Sequence, residues 1–198
     1  MAPRAPGRAP TRPRGDKRER TRGRLLDAAL ALTREKGFEA PTLQEIAARA
    51  GLTTGAIYGN FGSREGLIMA LAERQWAPIR PKVRAGASFA ELMEALGDAV
   101  IEALPERRPA AVGALTFRAY ALRHAEVRER FGDAMARGYD AGAAWFAAAF
   151  RPEELPMPPA VLARVINAMI EGLVFQAFLT PELTGETEIR AAFRALAR

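Results

Sequence analysis

The sequence predicts an all-α fold, and three observations support this prediction. Apolar residues recur at the spacing of a helix face, for example at Leu25, Ala29 and Leu32. Two apolar runs begin with a capping box, a Thr or Ser followed three residues later by Glu, at Thr42 and Ser88. No segment alternates between apolar and polar residues over the length of a strand. We therefore expect helices throughout the folded part of the 198-residue chain.

The N-terminal segment differs in composition from the first helix. Residues 1–15 contain four prolines and no large apolar residue after Met1, so we expect a disordered arm. Asp16 and Glu19 have the spacing of a capping box and are predicted to start the first helix. Gly37 is predicted to end it, because a residue without a Cβ tolerates the turn that follows a helix.

Residues 42–61 are predicted to form two short helices joined by a tight turn. The Thr42 capping box starts the first helix, and Gly51 ends it where the chain must turn. Thr53 is placed to cap the second helix, whose Ile57 faces back toward the first. Two short helices with a glycine turn and a small polar outer face form a helix-turn-helix unit. Such a unit places its second helix in the major groove of DNA.

The rest of the chain is predicted to be helical, with breaks at prolines. Ser63 is expected to cap a connecting helix, and Pro105 to end the helix that starts at Ser88, because proline lacks an N–H group. Residues 151–159, with four prolines, are expected to form a loop. The other helices are expected at about 109–123, 125–150, 158–179 and 187–197. The resulting division is an arm (1–15), a helix-turn-helix domain (16–62), a connecting helix (63–80) and a C-terminal domain (81–198).

Positive charge is concentrated at the N-terminus. Residues 1–24 hold nine basic residues against Asp16 and Glu19, whereas the rest of the chain is close to neutral. A basic block beside a helix-turn-helix unit favours a polyanion, and DNA is the obvious one. The arm either contacts DNA or is a passive tail, and the sequence leaves both interpretations open.

The residue inventory argues against an enzyme. The chain has no cysteine, which excludes disulfides, thiol catalysis and thiolate zinc sites. His124 is the one histidine, and Ser63 and Ser88 have the positions of helix caps, so no hydrolytic triad is expected. No phosphate-binding glycine loop is present. With no apolar run of about 20 residues and no hydrophobic signal segment, we expect a cytoplasmic protein without cofactor or metal.

A set of residues between about Arg18 and Leu71 stands at a family-specific spacing. The set consists of Lys36-Gly37-Phe38, Thr42-Leu43, Ile46-Ala47, Ala50-Gly51-Leu52-Thr53, Gly55, Ile57-Tyr58, Phe61, Ser63, Glu65 and Leu67. It resembles the DNA-binding domain of the TetR family of bacterial transcriptional regulators. The resemblance implies nine helices in two parts, with operator DNA bound by a dimer. It also implies a C-terminal domain that holds an effector pocket and the dimer interface, where effector binding usually releases the DNA.

The predicted DNA contacts lie on and around the second helix of the helix-turn-helix unit. Hydroxyl groups at its N-terminal end are suited to phosphates. Gly55 lets the helix backbone approach the groove, or is simply a tolerated packing position. Tyr58 matches a family position whose hydroxyl contacts a phosphate, unless it is a buried core residue. The predicted set is Thr42, Thr53, Thr54, Gly55, Tyr58, Asn60 and Arg64.

Two of these positions depart from the usual family pattern. Gly59-Asn60 stands where the family often has a histidine followed by an aromatic residue or histidine. Asn60 is expected to donate to a phosphate or, less readily, to pair with adenine. Arg64 replaces the usual lysine and is expected to clamp a phosphate with bidentate geometry. Because the helix has few long side chains, base specificity is predicted to depend on Thr54, the basic arm and DNA shape.

The C-terminal domain has two features that suit a regulator. Helix 158–179 mixes large apolar residues with small ones such as Ala168 and Gly172, which permits close helix contact. The resemblance implies that it forms a homodimeric four-helix bundle with 187–197, and the alternative is an ordinary core helix. Aromatic residues and methionines are predicted to line a pocket for an apolar or aromatic effector, although they also suit a plain core. The predicted ligand-binding residues are Trp76, Phe89, Met93, Phe117, Tyr120, His124, Tyr139, Trp145, Asn167 and Met169.

The sequence therefore predicts a ligand-responsive, DNA-binding transcriptional regulator. The simplest form is a homodimeric repressor that a small apolar effector releases from a palindromic operator. An effector-independent or activating DNA-binding protein of the same fold is the alternative. A sequence-indifferent binder would be distinguished by an affinity that depends steeply on salt.

Overall fold

All the regular secondary structure that the described residues form is helical, so the predicted all-α class is confirmed. The computed structural model describes residues 14–37, 39–75 and 78–197, and the side chains of residues 14–16 and 75 are not described. The predicted arm up to residue 13, Phe38 and Trp76 therefore lie outside the described residues. The helices are α1 (Arg14–Lys36), α2 (Leu43–Arg49), α3 (Thr54–Phe61), α4 (Arg64–Gln75), α5 (Phe89–Arg107), α6 (Ala111–Arg123), α7 (Ala125–Ala149), α8 (Pro159–Leu179) and α9 (Glu186–Leu196), with 3-10 turns at Arg108–Ala110 and Pro152–Glu154.

The chain forms two compact units that divide between Leu71 and Ala72. This division falls inside α4, the predicted connecting helix, whose N-terminal end is capped by Ser63 as predicted. Ser63 Oγ accepts a hydrogen bond from the Gly66 N–H at 3.1 Å. The predicted domain boundaries at residues 62 and 80 stay predictions.

The N-terminal unit has an apolar core to which all four of its helices contribute. Leu25 and Leu32 of α1, Ile46 of α2, Ile57 of α3 and Leu67 of α4 are all nearly inaccessible to solvent. Burying a side chain of this size stabilises a fold by about 1.5–3 kcal/mol. This core holds the two short helices α2 and α3, which are too short to be stable alone.

Two helix ends differ from the sequence prediction. α1 begins at Arg14, so Asp16 lies inside the helix and the predicted capping-box start is wrong. Once formed, a helix extends by one hydrogen bond per residue, and the next proline back along the chain is Pro13. α5 continues through Pro105 to Arg107, so the predicted end before Pro105 is also wrong. Proline fits the φ angle of a helix, and one missing N–H bond near the end of α5 does not stop it.

The C-terminal unit has its core between α5, α7, α8 and α9. Ser88 caps α5 with the predicted capping box, which is confirmed. Met93 of α5, Leu162 and Val174 of α8 and Phe193 of α9 are fully buried in this cluster. The segment 152–179 is long and apolar enough by composition to cross a membrane, contrary to the sequence expectation. Length and composition alone do not indicate a membrane helix, because a core helix of a soluble protein meets the same two criteria.

Candidate nucleic-acid interface

α2 begins at a complete capping box, as predicted. The Thr42 hydroxyl oxygen accepts a hydrogen bond from the Glu45 N–H at 3.1 Å, and the Glu45 carboxylate accepts one from the Thr42 N–H at 2.8 Å. Lys36 Nζ, at the end of α1, donates to the same carboxylate at 2.8 Å. The Lys36 bond, followed by those from Thr42, lowers the pKa of Glu45 to about 2. The ionised carboxylate therefore holds the exposed Thr42 at the surface of the unit.

The turn between α2 and α3 leaves the N-terminal end of α3 open. The N–H groups of Gly51 and Leu52 donate to carbonyls of α2 at 2.9 Å each, which closes the turn. Thr53 has the predicted N-cap position, but its hydroxyl makes no capping hydrogen bond. The exposed Thr53 hydroxyl and the first N–H groups of α3 are thus arranged as phosphate-binding helix ends are.

The outer face of α3 carries one large side chain, Tyr58. Tyr58 is 56% exposed, which excludes the alternative of a buried core tyrosine. A Cβ at Gly55 would meet only the Thr53 hydroxyl oxygen, at 3.7 Å, and a Cβ at Gly59 would meet nothing within 4 Å. Packing among the described residues therefore does not require either glycine, and the backbone of α3 is open to close approach.

Two predicted DNA contacts are turned toward the protein. Asn60 Nδ2 donates to the Ala56 carbonyl at 2.7 Å, and Asn60 Oδ1 is buried without a hydrogen-bond partner among the described residues. Arg64 donates to the carbonyls of Pro41 at 2.7 Å and Glu39 at 3.0 Å. Arg64 thus ties the start of α4 to the loop that precedes Thr42.

Two arginines of the basic block also bind within the unit, which the sequence analysis missed. Arg24 Nη2 donates to the Ala50 carbonyl at 2.6 Å, and Arg22 Nη1 donates to the Asn60 carbonyl at 3.2 Å. On a helical wheel of α1, Arg22 and Arg24 lie on either side of the buried Leu25. This closeness to the buried face is the sequence feature that could have indicated their internal contacts. In the sequence analysis they were counted only as part of a basic block that favours a polyanion.

The predicted effector residues do not gather around one space. Phe89 and Met93 are buried in the core, and Phe117 and Tyr120 are buried on α6. Exposed His124 stacks on Tyr120, with ring centroids 3.9 Å apart.

The other predicted effector residues lie on α7 and α8. Asn167 Nδ2 donates to Tyr139 Oη at 3.3 Å, between α7 and α8. Trp145 is 48% exposed and lies edge-on to Phe150, and Met169 is half-buried beside the core cluster. Trp76, the remaining member of the set, is outside the described residues.

Neither of the two clearest hollows among the described residues is large enough for an effector. One, between α1, α2 and α4, has a volume of about 10 Å³, which is the space of about one water molecule. The other, of about 70 Å³, lies between charged side chains of α5 and α9, including Asp98 and Arg190. The predicted effector residues that the structure describes are therefore buried or half-buried in helix packing or exposed, and neither hollow gathers them.

A helix-turn-helix unit with an exposed second helix, joined to a larger helical unit, defines the class of DNA-binding transcriptional regulators. Residues 25–71 match the family model described as bacterial regulatory proteins of the tetR family. Residues 89–198, more than half of the chain, match the C-terminal model of the BetI-type transcriptional repressors. The chain belongs to the TetR family of transcriptional regulators, and its relatives are regulators rather than enzymes.

Known relatives resemble the chain over different lengths. The regulator SrpR of Pseudomonas putida is 47% identical over 58 residues, which is 29% of this chain and 27% of SrpR. The chain spans less than half the length of the curated relatives that it matches. GusR of Salmonella enterica shares the fold with a TM-score of 0.69 and 21% identity, over 90% of this chain and 95% of GusR. EbrR, a multidrug binding protein solved with imidazole, has a TM-score of 0.66 and 22% identity over 98% of each chain.

Proposed function

We propose that this regulator is a homodimeric repressor that binds a near-palindromic operator through α3 and is released by a small apolar effector. The observation that carries the proposal is the outer face of α3. Thr53 and Tyr58 are exposed there, beside two glycines that allow the backbone close to a groove. Two such helices, one from each subunit, would read successive major grooves about 34–36 Å apart.

The DNA contacts that we propose are of two kinds. Thr42, Thr53, Thr54 and Tyr58 supply hydroxyl groups for phosphate or base edges, and Gly55 allows close approach. Asn60 and Arg64 act mainly by fixing the backbone that carries these groups, because their donors are engaged within the unit. Either residue would have to exchange an internal hydrogen bond for one to DNA.

The dimer that we propose forms through α8 and α9. Val161, Ala168, Gly172 and Leu179 are exposed and lie on one face of α8. The spacing of these residues is close to whole helical turns, so they form an apolar stripe with small residues at its centre. A stripe of this kind suits close contact with the same stripe of a second copy, which would remove it from water.

The effector that we propose is apolar or aromatic and binds within the C-terminal unit. The aromatic residues of that unit support this class, as do the ligands of two structural relatives. EbrR is described as a multidrug binding protein, and the relative SmeT was solved as a triclosan complex. Since neither of the two clearest hollows among the described residues fits an effector, we infer that the effector selects a conformation in which the helices are further apart, and that this coupling releases DNA.

The first experiment is selection of bound duplexes from a random pool, followed by fluorescence anisotropy on the enriched sequence across salt concentrations. A palindromic consensus bound well above random DNA is the expected result. Flat enrichment with a steep salt dependence would contradict the repressor proposal and would mean a sequence-indifferent binder. Loss of the complex on adding an apolar compound series, with triclosan as the first probe, tests release.

Light scattering tests the dimer separately. Ala168→Arg on the α8 stripe is expected to give monomers, because the charge cannot be buried in a close helix contact. Ala136→Arg, at an exposed position of α7, is the matched control and should leave the mass unchanged. Monomeric wild-type protein, or an unchanged mass for Ala168→Arg, would contradict this interface.

A further inference from the structure

We propose that Arg22 is a positioning residue for DNA recognition, which holds the C-terminal end of α3 and thereby sets how α3 is presented to the operator. Arg22 Nη1 donates to the Asn60 carbonyl at 3.2 Å, and its guanidinium carbon lies 4.6 Å from the centroid of the Phe61 ring. One side chain of α1 therefore contacts the last two residues of α3 in two different ways. The inference rests on the proposed function, because it concerns how that helix meets DNA.

α3 needs an external anchor at this end. It has eight residues, about two turns, and a helix of that length is not stable by itself. Ile57 is its one fully buried residue, so the apolar core holds α3 mainly near the middle of the helix. The contacts of Arg22 hold α3 at a second position, its C-terminal end, which follows Tyr58 in the helix.

The chemistry of the contact suits the end of a helix. The last carbonyls of a helix have no partner within it, and they carry the negative end of the helix dipole. A guanidinium supplies both a donor and a positive charge, and its flat face stacks on an aromatic ring. Arg22 is half-buried, so these groups are less screened than on an open surface.

Arg24 makes the corresponding contact at the end of α2. Its Nη2 donates to the Ala50 carbonyl at 2.6 Å. On the wheel of α1, Arg22 and Arg24 stand on opposite sides of the buried Leu25. One turn of α1 therefore holds the C-terminal ends of both helices of the DNA-binding unit. Part of the N-terminal basic block therefore supports the unit from within, so not all of its charge can be assigned to phosphate contacts.

This role predicts a different salt response from that of a phosphate contact. Loss of an arginine that neutralises a phosphate lowers affinity for all DNA, and it reduces the slope of log K against log salt by about 0.9. Loss of a positioning arginine should weaken binding to the operator more than binding to random DNA. The slope on random DNA should remain unchanged, because no counterion-releasing contact has been removed.

The test compares Arg22→Ala, Arg22→Lys and Arg18→Ala on the wild-type enriched duplex and on a scrambled duplex. Arg18 is exposed one turn earlier on α1, so its variant loses the same charge without the α3 contacts. All proteins are measured at a temperature where far-UV circular dichroism shows them equally folded. Arg22→Ala should bind the operator about 10-fold more weakly, a difference of about 1.4 kcal/mol, with little change on scrambled DNA. Arg22→Lys keeps a donor and the charge but not the flat guanidinium, so it should recover only part of the operator binding.

A double-mutant cycle with Phe61→Leu separates positioning from general stability. Phe61→Leu keeps an apolar side chain but removes the ring on which Arg22 stacks, so the loss caused by Arg22→Ala should be smaller in that background. Equal losses on both duplexes with a slope reduced by about 0.9, or additive effects in the cycle, would overturn the proposal. If wild-type protein enriches no sequence at all, the proposed function itself fails, independently of these variants.

Discussion

Replacing Gly51 by alanine is expected to destabilise the N-terminal unit by about 1.5–3.5 kcal/mol, from two separate causes. Gly51 has φ +62°, and the left-handed conformation costs a residue with a Cβ about 1–2 kcal/mol. The new Cβ would also lie 3.0 Å from Arg24 Nη2, which donates to the Ala50 carbonyl at 2.6 Å. The guanidinium must move, and losing such a hydrogen bond costs about 0.5–1.5 kcal/mol.

Two other glycines provide matched controls. Gly37 has φ +84°, but a Cβ there would meet nothing within 4 Å. Gly37→Ala therefore adds the backbone strain alone, about 1–2 kcal/mol. Gly23 lies inside α1, where a Cβ also has open space, so Gly23→Ala should stabilise the helix by up to about 1 kcal/mol. The expected order of stability is Gly23→Ala, wild type, Gly37→Ala and Gly51→Ala.

The assay is urea denaturation of the full chain followed by far-UV circular dichroism, with free energies compared at a constant m value. Repeating the series in an Arg24→Ala background isolates the second cause. There, Gly51→Ala should cost no more than Gly37→Ala. Equal costs for the two glycine variants in the wild-type background would refute the reasoning, as would an excess cost of Gly51→Ala that survives the loss of Arg24.

Three further predictions test other parts of the structure. The hydrogen bond from Lys36 is the main cause that lowers the pKa of Glu45 to about 2. The ionised carboxylate therefore stabilises the fold fully above about pH 4.5, and this stabilisation is lost as the pH falls toward 2. The urea midpoints of wild type and Glu45→Gln should therefore converge across that pH window. Tyr58→Phe should change stability by less than about 0.5 kcal/mol, since the side chain is mostly exposed, while operator Kd in anisotropy rises about 2–10-fold. A Cβ at Gly142 would lie 3.4 Å from a side chain of α8, so Gly142→Leu should cost about 1–3 kcal/mol in urea, whereas Gly138→Leu, in open space, should not.

Local features of the fold followed from the sequence, because their cause lies within a few residues. The capping boxes at Thr42 and Ser88 each join residues three positions apart, and both formed as predicted. The same local reasoning failed at Asp16, where a capping-box spacing did not start α1, and at Pro105, where the expected helix end did not occur. A capping box supplies specific hydrogen bonds that start a helix, whereas a proline only removes one backbone hydrogen bond. The surrounding helix decides whether that single loss is tolerated.

The internal arginine contacts did not follow from the sequence, because they join distant residues. Arg22 meets Asn60 across 38 positions and Arg24 meets Ala50 across 26. Charge patterning places a basic block near DNA, but it does not distinguish a guanidinium that faces the solvent from one that caps a helix. Arg64 shows the same limit. The family resemblance predicted that it binds a phosphate of DNA, whereas in the structure it donates to two backbone carbonyls. Knowing where α2 and α3 end relative to α1 was needed to make these assignments.

The packing of the C-terminal unit bears on how the proposed effector would act. A ligand that needs a conformation with separated helices binds with its intrinsic affinity reduced by the fraction of molecules in that conformation. We expect the contact between α7 and α8 to set part of that fraction, because Gly142 closely approaches Ala163 there and Asn167 donates a hydrogen bond to Tyr139. If the proposed effector needs these helices apart, residues that close this contact both stabilise the unit and oppose effector binding. Sensitivity to an effector and stability of the free regulator should accordingly vary in opposite directions among variants of this interface, even where no altered residue touches the ligand.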